Sequence, residues 1–260
     1  MKKSIKSKSK SKIKTFVICL ILFIIFIYFK NILKDTPNKE IEKNTNQKVG
    51  VVENWPEIKI DKLEDNSSKY LDIKAEFPVS GIGSLSVKNE IQNIVKQFKI
   101  DNDFSNKKED EIVFLGLDKD NRYTLDITYE NNTSEKYITH RLNQYVFTGG
   151  AHGSIVVKTY TYDKNGKRYL LQDLFINENS LEKLSDFLKV KILENKDYKN
   201  NIEEDWLSDG ASPKIENFEA FIIDGENIIF IFQQYQIGPY VLGIIEIKIP
   251  IKELVEILKF

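Results

Sequence analysis

The chain has 260 residues, of which 41% are hydrophobic and 30% charged, and its 38 basic and 39 acidic residues nearly balance. This length and apolar content provide one substantial hydrophobic core or two small ones. A single cysteine, Cys19, excludes an internal disulfide and a thiolate metal site.

The first 33 residues have the pattern of a membrane anchor. Residues 1–14 form a lysine-rich tail without acidic residues, and the apolar run Phe16–Phe29 follows. With its flanking residues this run reaches the roughly 20 residues that cross a bilayer, so we predict a transmembrane helix over residues 15–33. The alternative is a cleaved signal peptide, but no small-residue cleavage site follows the run. We therefore expect a single-pass protein of the cell membrane with a cytoplasmic N-terminus and an extracytoplasmic C-terminal part.

The charge is divided unevenly along the chain. The first 34 residues hold nine lysines and no acidic residue, which leaves 29 basic against 39 acidic residues, or a net charge of −10, in the rest. An acidic exported part attracts a cationic partner and repels nucleic acid, so no nucleic-acid partner is expected. The alternative is that this charge only keeps the domain soluble.

A first module is predicted beyond a polar, non-periodic tether of residues 34–68. Alternation predicts a strand over Leu71–Phe77, and helical spacing predicts a helix over Val87–Phe98 with Ser84 or Ser86 as its cap. Three more strands should form a sheet under this helix. They cover Tyr123–Glu130, Glu135–Phe147 and Ser154–Tyr162, with a turn at Asn131-Asn132, and complete a module of residues 69–156.

A second module, residues 157–260, repeats this plan. A helix over Leu181–Ile192 is expected, with Asn179 and Glu182 forming a capping box. The remaining predicted elements are strands over Phe218–Ile223, Ile228–Tyr235 and Val241–Ile249, a hairpin turn at Asp224-Gly225, and a short terminal helix after Pro250. Runs of strands beside segregated helices predict an α+β fold of two antiparallel-sheet-plus-helix modules packed as one ectodomain.

Two loops with glycine or proline are the predicted binding surface. The candidate ligand-binding residues are Gly149, Gly150, His152, Gly153, Tyr235, Pro239 and Tyr240. Loops between rigid strands are where binding residues usually lie, and glycines let a ligand approach the backbone. Tyr240 offers a rigid amphipathic surface suited to an interface. Most other aromatic residues fit alternate strand positions and are expected in the core or in cross-strand pairs.

The residues that carry chemistry are few. His140 lies in an alternating strand and is expected to be a packed or hydrogen-bonded residue. His152 is a possible base, metal ligand or loop-fixing hydrogen-bond group, and its lack of a thiol, second histidine or evident carboxylate partner favours the last. Since no metal, nucleophile or phosphate-loop spacing occurs, we predict a non-enzymatic protein without a catalytic residue, metal or cofactor. The alternatives are a wall-modifying enzyme that uses His152 and a structural accessory subunit.

Several segments resemble known extracytoplasmic domains. Leu71–Pro78, and Glu135–Thr139 leading into Tyr145–Gly153, resemble the N-terminal, non-catalytic region of the PdaC-like peptidoglycan deacetylases. Leu170–Phe175 and Tyr235–Gly243 resemble the companion domain, which is also the ectodomain of the RsiV-like anti-sigma factors that sense lysozyme. The resemblance implies an α+β binding domain of the bacterial envelope over residues 69–260, with lysozyme-type proteins or peptidoglycan as ligands. Deacetylase and sigma-binding activities are not expected of this chain.

Overall fold

The computed structural model describes residues 55–198 and 200–260, all of which belong to one compact unit. The predicted tail and membrane anchor and residues 34–54 of the predicted tether lie outside the described residues. The prediction of a non-periodic tether up to residue 68 is wrong, because Ile60–Asp65 forms a strand that pairs with Leu71–Pro78. Within the described ranges, no helix combines the length and the apolar character needed to cross a membrane.

The larger sheet has six strands in the spatial order β1 to β6. They are β1 (Ile60–Asp65), β2 (Leu71–Pro78), β3 (Tyr123–Thr133), β4 (Tyr137–Phe147), β5 (Ser154–Asp163) and β6 (Arg168–Tyr169). Neighbours are antiparallel except β2 and β3, which are parallel, so the prediction of purely antiparallel modules is wrong here. The reason is a crossover through α1 (Ser84–Asp101) and α2 (Glu109–Phe114), which returns the chain to the sheet in the same direction.

Helix α1 packs on this sheet and builds the first core. Its Val87, Ile91 and Phe98 are buried together with Ile73 of β2 and Leu125 of β3. Each such side chain contributes roughly 1.5–3 kcal/mol when fully buried. The predicted alternation of β2 and the apolar stripe of α1 are therefore confirmed as the basis of this packing.

The predicted start of α1 and the predicted turn between β3 and β4 need correction. Helix α1 begins at Ser84 after Gly83, and no side chain accepts an N–H of its first turn. The Ser84 hydroxyl instead donates to the carbonyl of Ser80. Asn131 and Asn132 lie within β3, where they pair with buried residues of β4. The turn lies at residues 134–136, closed by a Ser134 N–H···O=C Tyr137 bond of 2.8 Å.

The smaller sheet consists of β7 (Phe221–Asp224), β8 (Asn227–Phe232) and β9 (Ile245–Pro250), all antiparallel. The predicted hairpin is confirmed, with Gly225 in the left-handed region at φ 58°. Its turn residues are Gly225 and Glu226, one position later than predicted, because Asp224 still pairs with Asn227. The third strand starts later than predicted because Tyr240–Leu242 forms a 3-10 turn. The predicted terminal helix is also wrong, since only the 3-10 turn Ile251–Glu253 forms before Leu258 pairs with Phe175.

Helix α3 (Ser180–Glu194) covers one face of the smaller sheet. Leu184, Leu188 and Ile192 are fully buried on it and join a core with Phe230 of β8. The predicted capping box is absent, because Asn179 has helical backbone angles and its side chain makes no cap hydrogen bond.

The two sheets pack against each other in the middle of the molecule. Val157 of β5 and Ile222 and Ile231 of the smaller sheet are buried at this interface. The hydroxyls of Thr159 and Thr139 accept backbone N–H bonds from β7, at 3.1 and 3.3 Å. The predicted boundary between the two modules, after residue 156, falls within β5, the strand that faces the smaller sheet.

Candidate functional site

Four aromatic rings form a row on the surface, which we call the aromatic row. It contains His152, Tyr240, Tyr235 and Trp206, in that order. His152 and Tyr240 stack with ring centroids 3.8 Å apart, Tyr240 and Tyr235 lie 5.7 Å apart, and Tyr235 and Trp206 stack at 6.4 Å. The rings come from the loop after β4, from the loop after β8, and from helix α4 (Glu204–Gly210).

Glycines shape the loop that carries His152. Gly149 and Gly150 have φ angles of 91° and 94°, which L side chains adopt with difficulty. Gly153 is buried, and a Cβ there would lie 2.5 Å from the ring of Tyr145. Two glycines therefore permit the turn, whereas Gly153 allows the loop to press against β4 and leaves His152 exposed.

One carbonyl ties the two predicted loops together. Nδ1 of His152 lies 3.0 Å from the carbonyl oxygen of Gly153, and because a carbonyl only accepts, Nδ1 is the donor. The Tyr240 hydroxyl donates to the same oxygen at 3.4 Å. Among the described residues, the bond to Gly153 is the only hydrogen bond that the His152 ring makes, and no carboxylate bonds to it. The histidine thus has the geometry of a loop-fixing residue.

Glutamine side chains hold the second loop against β5. The Gln233 amide accepts from the N–H of Val157 and donates to its carbonyl, both at 2.8 Å. Gln234 accepts from the N–H of Ile155 at 2.7 Å. These amides take the place of a neighbouring strand, so the loop has a fixed position on the strand that follows the His152 loop.

Gln236 connects this loop to α4. Its side-chain nitrogen donates to the carbonyls of Gly210 and Asn217, at 2.9 and 2.8 Å. Gly210 has no space for a side chain, since a Cβ would lie 1.8 Å from the Gln236 carbonyl oxygen. This close contact between α4 and the loop places Trp206 next to Tyr235.

Tyr235 is held in an unusual backbone conformation. Among the described residues, Tyr235 is the only one other than glycine that has a positive φ, at 65°. Its side chain is 49% exposed. Such a conformation costs about 1–3 kcal/mol and persists only where the surroundings impose it, often at functional sites. The twist places the phenol ring between Tyr240 and Trp206.

An acidic and an apolar flank adjoin the row. Glu203, Glu204 and Asp205 are exposed beside Trp206, and within the described ranges they form no ion pair. They also suit the first turn of α4, where negative charge is favoured by the helix dipole. Next to Tyr240, Pro239 is exposed and Val241 is 85% exposed.

Of the residues predicted from the sequence, His152, Tyr235, Pro239 and Tyr240 lie on one surface, whereas Gly153 is buried beneath it. Sequence reasoning missed Trp206 and the three glutamines. The available signal for Trp206 was a tryptophan that directly follows the acidic run Glu203–Asp205. The glutamines carried none, because their partners are distant in the chain.

His140 has a structural setting. It is fully buried, with Nε2 2.7 Å from the carbonyl of Ile82 and Nδ1 2.7 Å from the hydroxyl of Tyr129. Because the carbonyl only accepts, Nε2 carries the proton and Tyr129 donates to Nδ1. Burial lowers the pKa of His140. The described residues contain no cluster of three or more His, Cys, Asp or Glu side chains arranged for a metal ion.

Parts of this chain are similar in sequence to known proteins. Residues 172–252, which include Trp206, Tyr235 and Tyr240, match the family described as protein of unknown function DUF3298. The peptidoglycan-N-acetylmuramic acid deacetylase PdaC of Bacillus subtilis is 27% identical over 246 residues, covering 94% of this chain and 49% of PdaC. The chain thus spans about half the length of this curated relative.

Two solved structures have a similar fold. A DUF3298 member from Bacteroides fragilis aligns with a TM-score of 0.54 and 21% identity, covering 78% of this chain and 94% of its own. A DUF3298 protein from Pseudomonas aeruginosa aligns with a TM-score of 0.56 and 18% identity, covering 81% and 97%. At this identity the likeness establishes the fold alone, and the RsiV-like part of the resemblance remains a prediction. Residues 172–252 are therefore similar to the DUF3298 family, and the chain as a whole is similar to PdaC.

Proposed function

We propose that this chain is a non-enzymatic binding protein of the bacterial cell envelope, anchored by residues 15–33, whose aromatic row binds a cationic protein of the lysozyme type. One observation carries the proposal. Four aromatic rings from three separate segments line up on the surface, beside exposed acidic residues.

The aromatic row has the chemistry of a protein-binding surface. Tyrosine and tryptophan supply large, rigid contact areas and dominate the binding energy of many interfaces. The exposed side chain of Val241 and the adjoining Pro239 extend the apolar area. The glutamine hydrogen bonds and the backbone of Tyr235 already fix the loops. The loops should therefore lose little conformational entropy when a ligand binds.

Charge supports a cationic partner. The residues after position 34 have a net charge of −10, and Glu203, Glu204 and Asp205 lie at one end of the row. Complementary charge accelerates encounter more than it raises affinity. Lysozyme-type proteins are typically basic, so they meet this requirement.

Peptidoglycan is the second candidate ligand. Its support is the similarity to PdaC, whose name states that it acts on peptidoglycan N-acetylmuramic acid. The wall-modifying enzyme has less support, because the described contacts of His152 include no carboxylate that would assist it as a base.

The test compares two ligands on the same protein. The purified full chain is titrated with lysozyme by calorimetry and, separately, sedimented with insoluble peptidoglycan, each over a salt series. We expect saturable, salt-sensitive lysozyme binding, weakened about tenfold or more by Trp206→Ala and by Tyr240→Ala. Phe114→Ala is the matched control, since this phenylalanine is 90% exposed on α2 and outside the row.

The outcomes separate the candidates. Absence of lysozyme binding, or equal weakening by Phe114→Ala, contradicts the proposal. Sedimentation with peptidoglycan that depends on Trp206 and Tyr240, without lysozyme binding, replaces lysozyme with the second candidate. Hydrolysis or deacetylation of the wall that His152→Ala abolishes would establish the enzyme instead.

A further inference from the structure

A groove of about 580 Å³ lies between α1 and the β1–β2 edge of the larger sheet. Ala75, Phe77 and Ile91 line its floor, and Leu63 and Val95 line its sides. The volume is within the range of sites that bind small molecules or peptide side chains, roughly 300–1,000 Å³.

The groove adjoins a sheet edge that pairs with no strand among residues 55–198 and 200–260. β1 is the terminal strand of the larger sheet, and four of its six residues are exposed. The N–H of Val79 donates to the carbonyl of Lys59 at 2.8 Å, so Lys59 and Val79 form a hydrogen-bonded pair at the start of the β1–β2 ladder. By the alternation of an antiparallel ladder, the backbone groups of Ile60, Lys62 and Glu64 point away from the sheet.

We propose that β1 and this groove bind an extended segment of another protein, which adds to the sheet as a seventh strand. An edge strand beside an apolar groove is the arrangement used in recognition by strand addition. Main-chain bonds to β1 hold the segment, and every second side chain points over Leu63 toward α1. The site shares no residue with the aromatic row and does not depend on the function proposed for it.

The charged side chains define the partner further. Lys99 is engaged by Asp65 across the groove, whereas Lys96 has no ion pair among the described residues. The bound segment should therefore have alternating apolar residues and an acidic residue that faces Lys96. Asp61 accepts the N–H of Lys62 at 2.9 Å, and it must release this group when the strand is added.

The test selects peptides on the purified full chain. A phage-displayed library of random decapeptides is panned against the wild type, and enriched peptides are synthesised for titration. Lys62→Pro removes an outward N–H without taking a bond from the β1–β2 ladder, and Lys62→Ala, which loses the ion pair with Glu76 but keeps the N–H, is its control. Lys96→Gln tests the acidic residue.

We expect enrichment of alternating apolar peptides with an acidic residue. Their affinity should fall about tenfold for Lys62→Pro and about threefold or more for Lys96→Gln, and should be retained in Lys62→Ala and Trp206→Ala. Methylation of alternate peptide nitrogens should also abolish binding, and this test holds even where Lys62→Pro folds poorly. Absence of enrichment, or peptides that bind equally after N-methylation, overturns the proposal. So does a wild-type dimer that Lys62→Pro converts to monomer, since the edge then belongs to a second copy.

Discussion

The imidazole of His152 lies against the phenol ring of Tyr240, with 3.8 Å between centroids and 21° between ring planes. Both side chains also donate to the Gly153 carbonyl. The contact joins the loop after β4 to the loop after β8, so the two loops identified in the sequence form one surface.

The stacked pair should be energetically coupled. In a double-mutant cycle of His152→Ala and Tyr240→Ala, we expect a coupling of about 0.5–1.5 kcal/mol in the free energy of unfolding, the usual contribution of an aromatic pair. Urea denaturation of the four proteins measures it. A control cycle that pairs His152→Ala with Phe114→Ala should show additive effects. Additivity in the first cycle as well would mean that the stack has no energetic role.

Gly210→Ala should be strongly destabilising. The new Cβ would lie 1.8 Å from the Gln236 carbonyl oxygen, and backbone cannot move aside as a flexible side chain can. We expect a loss of about 2–3 kcal/mol in the free energy of unfolding, as in overpacked sites, together with weaker ligand binding because Tyr235 moves. Ser208→Ala, at an exposed position of the same helix, is the control and should be nearly neutral. Equal midpoints in urea for the two variants would contradict this.

Gln233→Ala should cost more stability than Gln234→Ala. The first substitution leaves both the N–H and the carbonyl of buried Val157 without a partner, whereas the second leaves one N–H of half-buried Ile155. At about 1–3 kcal/mol for each unsatisfied buried group, we expect the two variants to differ by about 1 kcal/mol or more. Hydrogen exchange of the Val157 amide gives a direct local readout. Unchanged protection of this amide in Gln233→Ala would refute the assignment.

Acid should destabilise the protein partly through His140. Burial lowers its pKa from the ordinary 6.5, so the folded protein favours neutral imidazole. This contribution is complete above pH 6.5, where the unfolded chain is also neutral, and is lost as the pH falls toward the folded pKa, because the unfolded state binds the proton more readily. Unfolding free energies between pH 7.5 and 5 should therefore decline.

The control for this pH dependence is His140→Gln. A glutamine can hydrogen-bond but does not titrate, so the variant should be less stable at pH 7.5 and should lose less stability between pH 7.5 and 5. His152→Gln serves as the matched variant at the other histidine, since His152 is exposed. A His140→Gln profile parallel to that of the wild type would assign the decline to carboxylates.

Local patterns were sufficient for the main elements but not for their ends. The alternation in β2 and the apolar stripe of α1 reflect burial, which the sequence records directly. The cap prediction for α1 failed because Ser84 bonds to the Ser80 carbonyl, an alternative that a cap pattern does not distinguish. The Asn131-Asn132 turn failed because pairing with buried β4 residues outweighed the local preference for a turn.

Long-range contacts explain what was missed at the candidate site. The glycines indicated two loops, yet nothing local showed that His152 would meet Tyr240. Trp206 lies in α4, which the Gln236 side chain joins to the loop by its bond to Gly210, 26 residues earlier in the chain. A glutamine that replaces a strand neighbour looks like any polar loop residue until its partner is known.

The bonds between the two sheets bear on which part of the chain can fold alone. A fragment of residues 172–252, the stretch that matches DUF3298, would lack Thr139 and Thr159, which accept the N–H groups of Ile223 and Phe221. It would also expose Ile222 and Ile231, which Val157 now covers. Such a fragment should not persist as an autonomous domain, and the described residues should melt in a single cooperative transition. The stretch that carries the family likeness is shorter than the unit of folding.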